Sequence, residues 1–167
     1  MKKLLFMLMM LAPMAASAQA KFGHVNSQEI MQAMPEFTKA RTDIEALAKQ
    51  YDADLKGMQE EIQKKAEALE KEQATLPANI KQRREQELQE MYQKYQQSAQ
   101  DNQQALAKEQ SEKMQAITTK ILDAIKSVGQ TDGYVYIMDI AGGGIPYIST
   151  TLSTDVTAKV KTKLGLK

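Results

Sequence analysis

The chain has no cysteine and a single histidine, His24, among its 167 residues. Without thiols there is no disulfide to staple a fold in an oxidising compartment, no cysteine nucleophile and no attachment point for a lipoprotein's acyl chain. One histidine and no cysteine also leave too few ligands for a metal cluster within one chain, so neither a metal nor another cofactor is expected. An excess of either charge is missing too, with 22 basic residues against 21 acidic. That balance disfavours a nucleic-acid partner. Breakers are scarce: between Pro35 and Pro77 the only glycine is Gly57, and between Pro77 and Gly129 there is neither glycine nor proline. About ninety residues therefore read as two long helices.

What fills those helices is a narrow apolar stripe. On the first it runs from Phe37, Ala40, Ile44 and Leu47 to Ile62, Ala66 and Leu69, and on the second from Ile80, Leu88, Met91 and Tyr95 to Ile117, Ile121 and Val128. The three-and-four spacing suits one partner helix rather than a globular core. Thr75 to Asn79 is where the chain turns back, giving a helical hairpin over 35–128. Acid-before-base pairs at i,i+4 (Glu45–Lys49, Asp52–Lys56, Glu60–Lys64, Glu61–Lys65, Glu67–Lys71, Glu90–Lys94 and Glu109–Lys113) mark the outer faces as solvated. Gly57, Asn102 and the polar stretch from Gln96 to Gln100 are soft places in the seam.

The two ends are of a different kind. Lys2 and Lys3, an apolar run from Leu4 to Ala12 and the small residues up to Ala20 read as a secretory signal peptide over 1–20, cleaved after Ala18 or Ala20. The apolar run is about half of the ~20 residues a membrane span needs, so export as a soluble protein is expected. Phe22 to Asn26 reads as a strand, with Ser27 as the cap of a short helix that Pro35 ends. After Gly129 to Gly133, the run Tyr134 to Ile140 reads as a buried central strand, apolar on both faces except at Asp139. Gly142 to Gly144 read as a hairpin turn, Ile145 to Ser149 as the next strand, and Val156, Val160 and Leu164 as an amphipathic helix closed by Gly165.

The fold class is thus α+β, mainly α: a long antiparallel coiled-coil hairpin projecting from a small β-rich body made of 21–34 and 129–167. Such a body is close to the lower size limit for a stable core, so self-association is expected, with Val25, Tyr136, Met138 and Ile140 as its shared core.

Catalytic chemistry finds no foothold. His24 reads as a packed strand residue, Asp139 as a hydrogen-bonded strand end, and the triple glycine lacks the lysine and hydroxyl that would complete a nucleotide loop. Lys81, Arg83 and Arg84 form the densest basic cluster of the mature chain, a solvated face or a contact for anionic lipid or lipopolysaccharide. Tyr92 lies one step off the seam, an exposed aromatic suited to a loose contact with an extended client.

The order of elements resembles the Skp (OmpH-like) periplasmic chaperones across nearly the whole mature chain. The similarity is most specific at Gly23 to Ser27, at Ile125 to Val128 leading into Tyr134 to Asp139, and at Thr154 to Thr157. The resemblance implies a homotrimer that holds unfolded outer-membrane β-barrel proteins between its arms without ATP, a binding protein with no catalytic residues. A structural coiled-coil spacer or adaptor of the cell envelope, docking one folded partner, is the alternative; it calls for a concentrated apolar patch on an arm. If the leader reading holds, intact mass spectrometry of the exported protein will show a chain that begins after Ala18 or Ala20. A mature product still starting at Met1 would overturn it.

Overall fold

Pro35 separates two helices because it cannot continue the first, yet its fixed φ suits the opening turn of the second. In the computed structural model, which describes residues 20–166, α1 spans Ser27–Ala33 and α2 spans Pro35–Glu72, with Met34 in extended conformation between them. α3 spans Ala78–Asp132. The strands are β1 (Lys21–Val25), β2 (Tyr134–Asp139) and β3 (Ser153–Asp155), and α4 is Thr157–Lys163. The protein is mainly helical with one small sheet. Of the expected signal peptide only Ala20 is among the described residues. Two compact units are present: Met31–Lys120, and the chain up to Ile30 together with Ile121 onward.

In the helical unit every residue named above for the stripe is buried or half-buried, and Ala40, Ile62 and Ile117 are almost fully so. Gly57 does not interrupt α2, nor Asn102 α3. At the turn, the backbone N–H groups of Thr75 and Leu76 donate to the Glu72 carbonyl at 2.9 and 3.1 Å, and those of Ile80 and Lys81 to the Pro77 carbonyl at 3.0 Å. Of the expected pairs along each helix, Glu45–Lys49 and Glu109–Lys113 form, at 2.9 and 3.2 Å. The remaining ones do not close: Lys56 turns to Glu60, and Lys65 reaches across to Glu87 on the other helix. Long exposed side chains choose among several acids of similar energy, so spacing alone does not select the partner.

In the strand-bearing unit, β1 is central and pairs in parallel with both β2 and β3. This corrects two expectations. The apolar β2 is an edge strand, not the centre, and within one chain Val135, Tyr136 and Met138 stay 64%, 47% and 40% exposed. Ile145 to Ser149 form no strand; the third strand is the polar Ser153–Asp155, and Ala141 to Gly144 turn without making a hairpin. Pro146 removes one ladder donor from the expected segment, and a sheet whose strands all run one way has no place for a tight hairpin.

The core of this unit gathers Val25, Ile30, Ile121, Ala124, Val128, Val156 and Val160, all at most 7% exposed. Val25 has no exposed surface left, so its side chain belongs to the subunit's own core and offers no area to a neighbour. Gly23 is packed tightly in the sheet: a Cβ there would meet Ile137 Cγ1 at 3.1 Å and Tyr134 Cδ1 at 3.2 Å, so these side chains would have to give way. Gly165, at φ +73°, ends α4: its N–H donates to the Thr162 carbonyl at 3.0 Å, and that of Leu166 to Lys161 at 2.9 Å. This paired closure requires a left-handed residue.

Two side-chain clamps tie chain segments together. Asn26, not Ser27, caps α1, its Oδ1 accepting the Glu29 N–H at 3.0 Å. Ser27 is committed elsewhere: its N–H donates to Asp139 Oδ1 at 3.1 Å and its hydroxyl donates to Oδ2, while the Ala141 N–H reaches Oδ1 at 3.0 Å. The second clamp is buried Thr157, whose Oγ1 accepts the Asn26 N–H at 3.0 Å.

Partial desolvation pushes the Asp139 pKa up, but the Ser27 hydroxyl and the Ala141 and Ser27 N–H groups outweigh it and leave the carboxyl below its usual value. An unfolded aspartate titrates near ~3.9. The clamp's contribution is therefore complete above that value and fades as pH falls through the lower folded pKa. Asp139→Asn should cost about 1 kcal/mol at neutral pH, measured by urea unfolding, and the gap to the parent protein should close in acid. A gap that persists unchanged at the lowest pH would refute the clamp.

Candidate functional site

The seam between α2 and α3 is pinned by ion pairs that cross it. Lys120 meets Glu36 at 3.1 Å, Lys113 meets Asp43 at 3.4 Å, and Arg84 meets Glu72 at 2.6 Å. In these three pairs the two residue numbers add to the same total, one antiparallel register, while the fourth crossing pair, Lys65–Glu87, is offset from it by about one helical turn. Each carboxylate that shifts does so for a local reason: the Glu36 backbone N–H and then Lys120 lower Glu36, Lys39 and then Lys113 lower Asp43, and Lys65 lowers Glu87. These pairs are exposed, so they select the register more than they stabilise the fold.

One stretch of seam is not filled. Between Ile62 and Leu69 the stripe drops to Ala66, and across from it stand Tyr92 and Tyr95. A small residue in a line of large ones leaves a groove of about 470 Å³, floored by Ile62 and edged by Glu67, Glu70 and glutamines. Ile62 is 3% exposed and Tyr92 51%, so the floor is dry and the wall is wet. Tyr92 was singled out as an exposed aromatic; the structure places it beside Tyr95 on the groove. The groove itself was missed, although a small seam residue three and four positions from larger ones is a legible signal.

The basic cluster near the turn is largely committed to acids. Arg84 pairs with Glu72, and Lys81 lies 3.9 Å from Glu85. Arg83 is exposed. Of the residues expected to form a shared core, Tyr136 and Met138 are exposed on β2 and Ile140 is half-buried just beyond it. Val135, Tyr147 and Leu152 add exposed apolar surface in the same unit that the sequence reading did not single out. Phe22 and Tyr136 stack with ring centroids 4.8 Å apart. His24 joins its Nδ1 to Ser153 Oγ at 2.9 Å.

Nothing in these arrangements assembles acid, base and nucleophile around a pocket. Among the described residues no group of three or more histidine or carboxylate side chains is placed to hold a metal ion. No helix among them is long and apolar enough to cross a membrane. What the molecule offers is surface: a half-buried seam with an open groove at Ala66 on the helical unit, and an apolar sheet edge on the other.

Comparison with known proteins places this arrangement. Residues 21–164 match the family described as outer membrane protein (OmpH-like). The chain is 29% identical over 151 residues to the chaperone protein Skp of Yersinia enterocolitica, covering 90% of this chain and 92% of that protein. It is 27% identical over 125 residues to the chaperone protein Skp of Vibrio cholerae, covering 75% and 74% of the two. In fold it is similar to a crystal structure of an OmpH-like outer membrane chaperone from Caulobacter crescentus CB15, with a TM-score of 0.75 at 15% identity over 89% of this chain and 86% of that one. Because the family match takes in all three strands and both long helices, this chain belongs to the OmpH-like outer membrane protein family.

Proposed function

We propose that this protein is an ATP-independent periplasmic holdase that encloses unfolded outer-membrane proteins and keeps them from aggregating before membrane insertion. One observation carries the reading: on the helical unit Tyr92 is the one large apolar side chain, among the described residues, that stands exposed. The rest of that surface is half-buried seam flanked by charge and glutamine. A surface so graded makes many weak contacts and no strong one, which suits holding an unfolded chain without trapping it. Family membership and the Skp relatives support the same reading. An adaptor for one folded partner would need a concentrated apolar patch on the arm, which this distribution does not supply. The protein is read as a binder rather than an enzyme.

Enclosure needs more than one copy, and the apolar edge on β2 is the surface argued to join them. Exposed Val135, Tyr136 and Met138 on an unpaired strand edge invite either aggregation or specific self-association. The number of subunits, three, is taken from the resemblance. An anionic lipid or lipopolysaccharide contact at Lys81, Arg83 and Arg84 is a weaker proposal, because Glu72 and Glu85 already engage two of the three. Export through the cleaved leader sets the periplasmic localisation.

Light scattering of the mature protein should give three subunits at micromolar concentration, and Val135→Asp with Met138→Glu should return it to one. A monomeric parent protein would contradict the argument from the sheet edge, while a stable dimer would leave that argument standing and remove the number.

The register of the seam defines a length variant. Removing residues 66–72 together with 84–90 takes matched heptads from both helices and keeps the facing of what remains. This variant should keep its subunit number and lose most of its protection of an unfolded β-barrel protein against aggregation, read by turbidity with and without ATP. Full protection by the shortened form would refute enclosure.

A further inference from the structure

The groove at Ala66 differs from the other flank of the same seam. On that other flank Lys65 and Lys94 balance Glu61 and Glu87. The lining of the groove contains Glu67 and Glu70 and no lysine or arginine. Gln63 Nε2 donates to Glu67 Oε1 at 3.0 Å, and neither glutamate takes part in an ion pair among the described residues. The lining therefore carries negative charge and no cation of its own above an apolar floor.

Three features of chemistry meet here. Tyr92 and Tyr95 present ring faces and edges for another aromatic or for a cation. Gln59, Gln63 and Gln96 carry amides that both donate and accept, which matches the free N–H and C=O groups of an extended, unpaired backbone. The volume of about 470 Å³ lies in the range of small-molecule pockets, ample for one side chain and its flanking backbone.

We propose that this groove is a subsite for an extended polypeptide segment that carries an aromatic side chain beside a lysine or arginine. The aromatic ring occupies the space over Ala66 and Ile62, the cation meets Glu67 and Glu70, and the glutamines bond the segment's backbone. The proposal rests on the holdase reading and names the kind of client segment the arm selects. Charge complementarity chooses the occupant: an acidic segment would meet two carboxylates with no cation to offset them.

The test uses the assembled mature protein and short fluorescein-labelled extended peptides, read by anisotropy. A peptide with phenylalanine next to lysine should bind, and replacing that lysine with glutamate should weaken binding roughly tenfold. Ala66→Met, which fills the groove, should weaken the phenylalanine–lysine peptide by a similar factor with helicity and subunit mass unchanged. If that variant loses helicity, Tyr92→Ala at an exposed position should give the same loss. Glu67→Gln with Glu70→Gln should remove the preference for lysine over glutamate. Equal binding of the two peptides by the parent protein, or undiminished binding by the filled groove, would overturn the proposal. Protection of a whole unfolded barrel protein is measured alongside: it should change little in Tyr92→Ala, because enclosure spreads contacts over many residues. Failure of the parent protein to protect would overturn the holdase reading, while the peptide series still judges the groove.

Discussion

The strand-bearing unit depends on β1 having a parallel partner on each side. A parallel pair cannot be closed by a tight turn; it needs a long crossover. Between β1 and β2 that crossover is the whole of α1, α2 and α3, so the helical pair is, in topological terms, the connection within one sheet. The same constraint explains why the glycine-rich turn after β2 does not lead into a neighbouring antiparallel strand. The chain travels on past Tyr147 and Leu152 before Ser153–Asp155 adds to the far edge of β1. β2 is left with one free edge and apolar side chains on both faces.

The helical unit obeys a different constraint, the match between two stripes of similar width. Where the stripe residues are large, the helices close over them; where Ala66 interrupts the line, they leave the groove between Ile62 and the two tyrosines. Charge then separates the flanks of that groove, so a seam built for helix pairing also acquires a face with its own selectivity. The crossing ion pairs add little stability in water, but three of the four share one antiparallel register.

Much of this was legible in the residues because periodicity reports burial directly. Every stripe position from Phe37 to Val128 named on that basis is buried or half-buried, and Pro35 and Gly165 stand where helices begin or end, whereas α3 runs through Gly129 and on to Asp132, past the expected end at Val128. Asp139 is, as read, a hydrogen-bonded strand end. What was not legible depends on partners far away in the chain. Serine suits the cap position, but a carboxylate 112 residues distant claims the Ser27 hydroxyl, and Asn26 caps the helix instead. β2 carries the two-sided apolar signature of a central strand, and hydropathy does not say whether a neighbouring element or a second copy provides the cover. Ala66 marks a gap in the α2 stripe, but the tyrosines that wall the groove come from α3, so one helix announces only part of it.

The separation between Ser27 and Asp139 also sets an order of events. A chain that emerges from its N-terminus brings out β1 first, and the strand must stay without its partner until the residues beyond Asp132 have followed. The helical pair, stabilised by contacts across a single turn, forms on a shorter loop and can be complete in the meantime. The apolar sheet edge on β2 is therefore created late, when little of the chain remains to be delivered. By then the central strand has waited, unpaired, for nearly the whole chain to arrive.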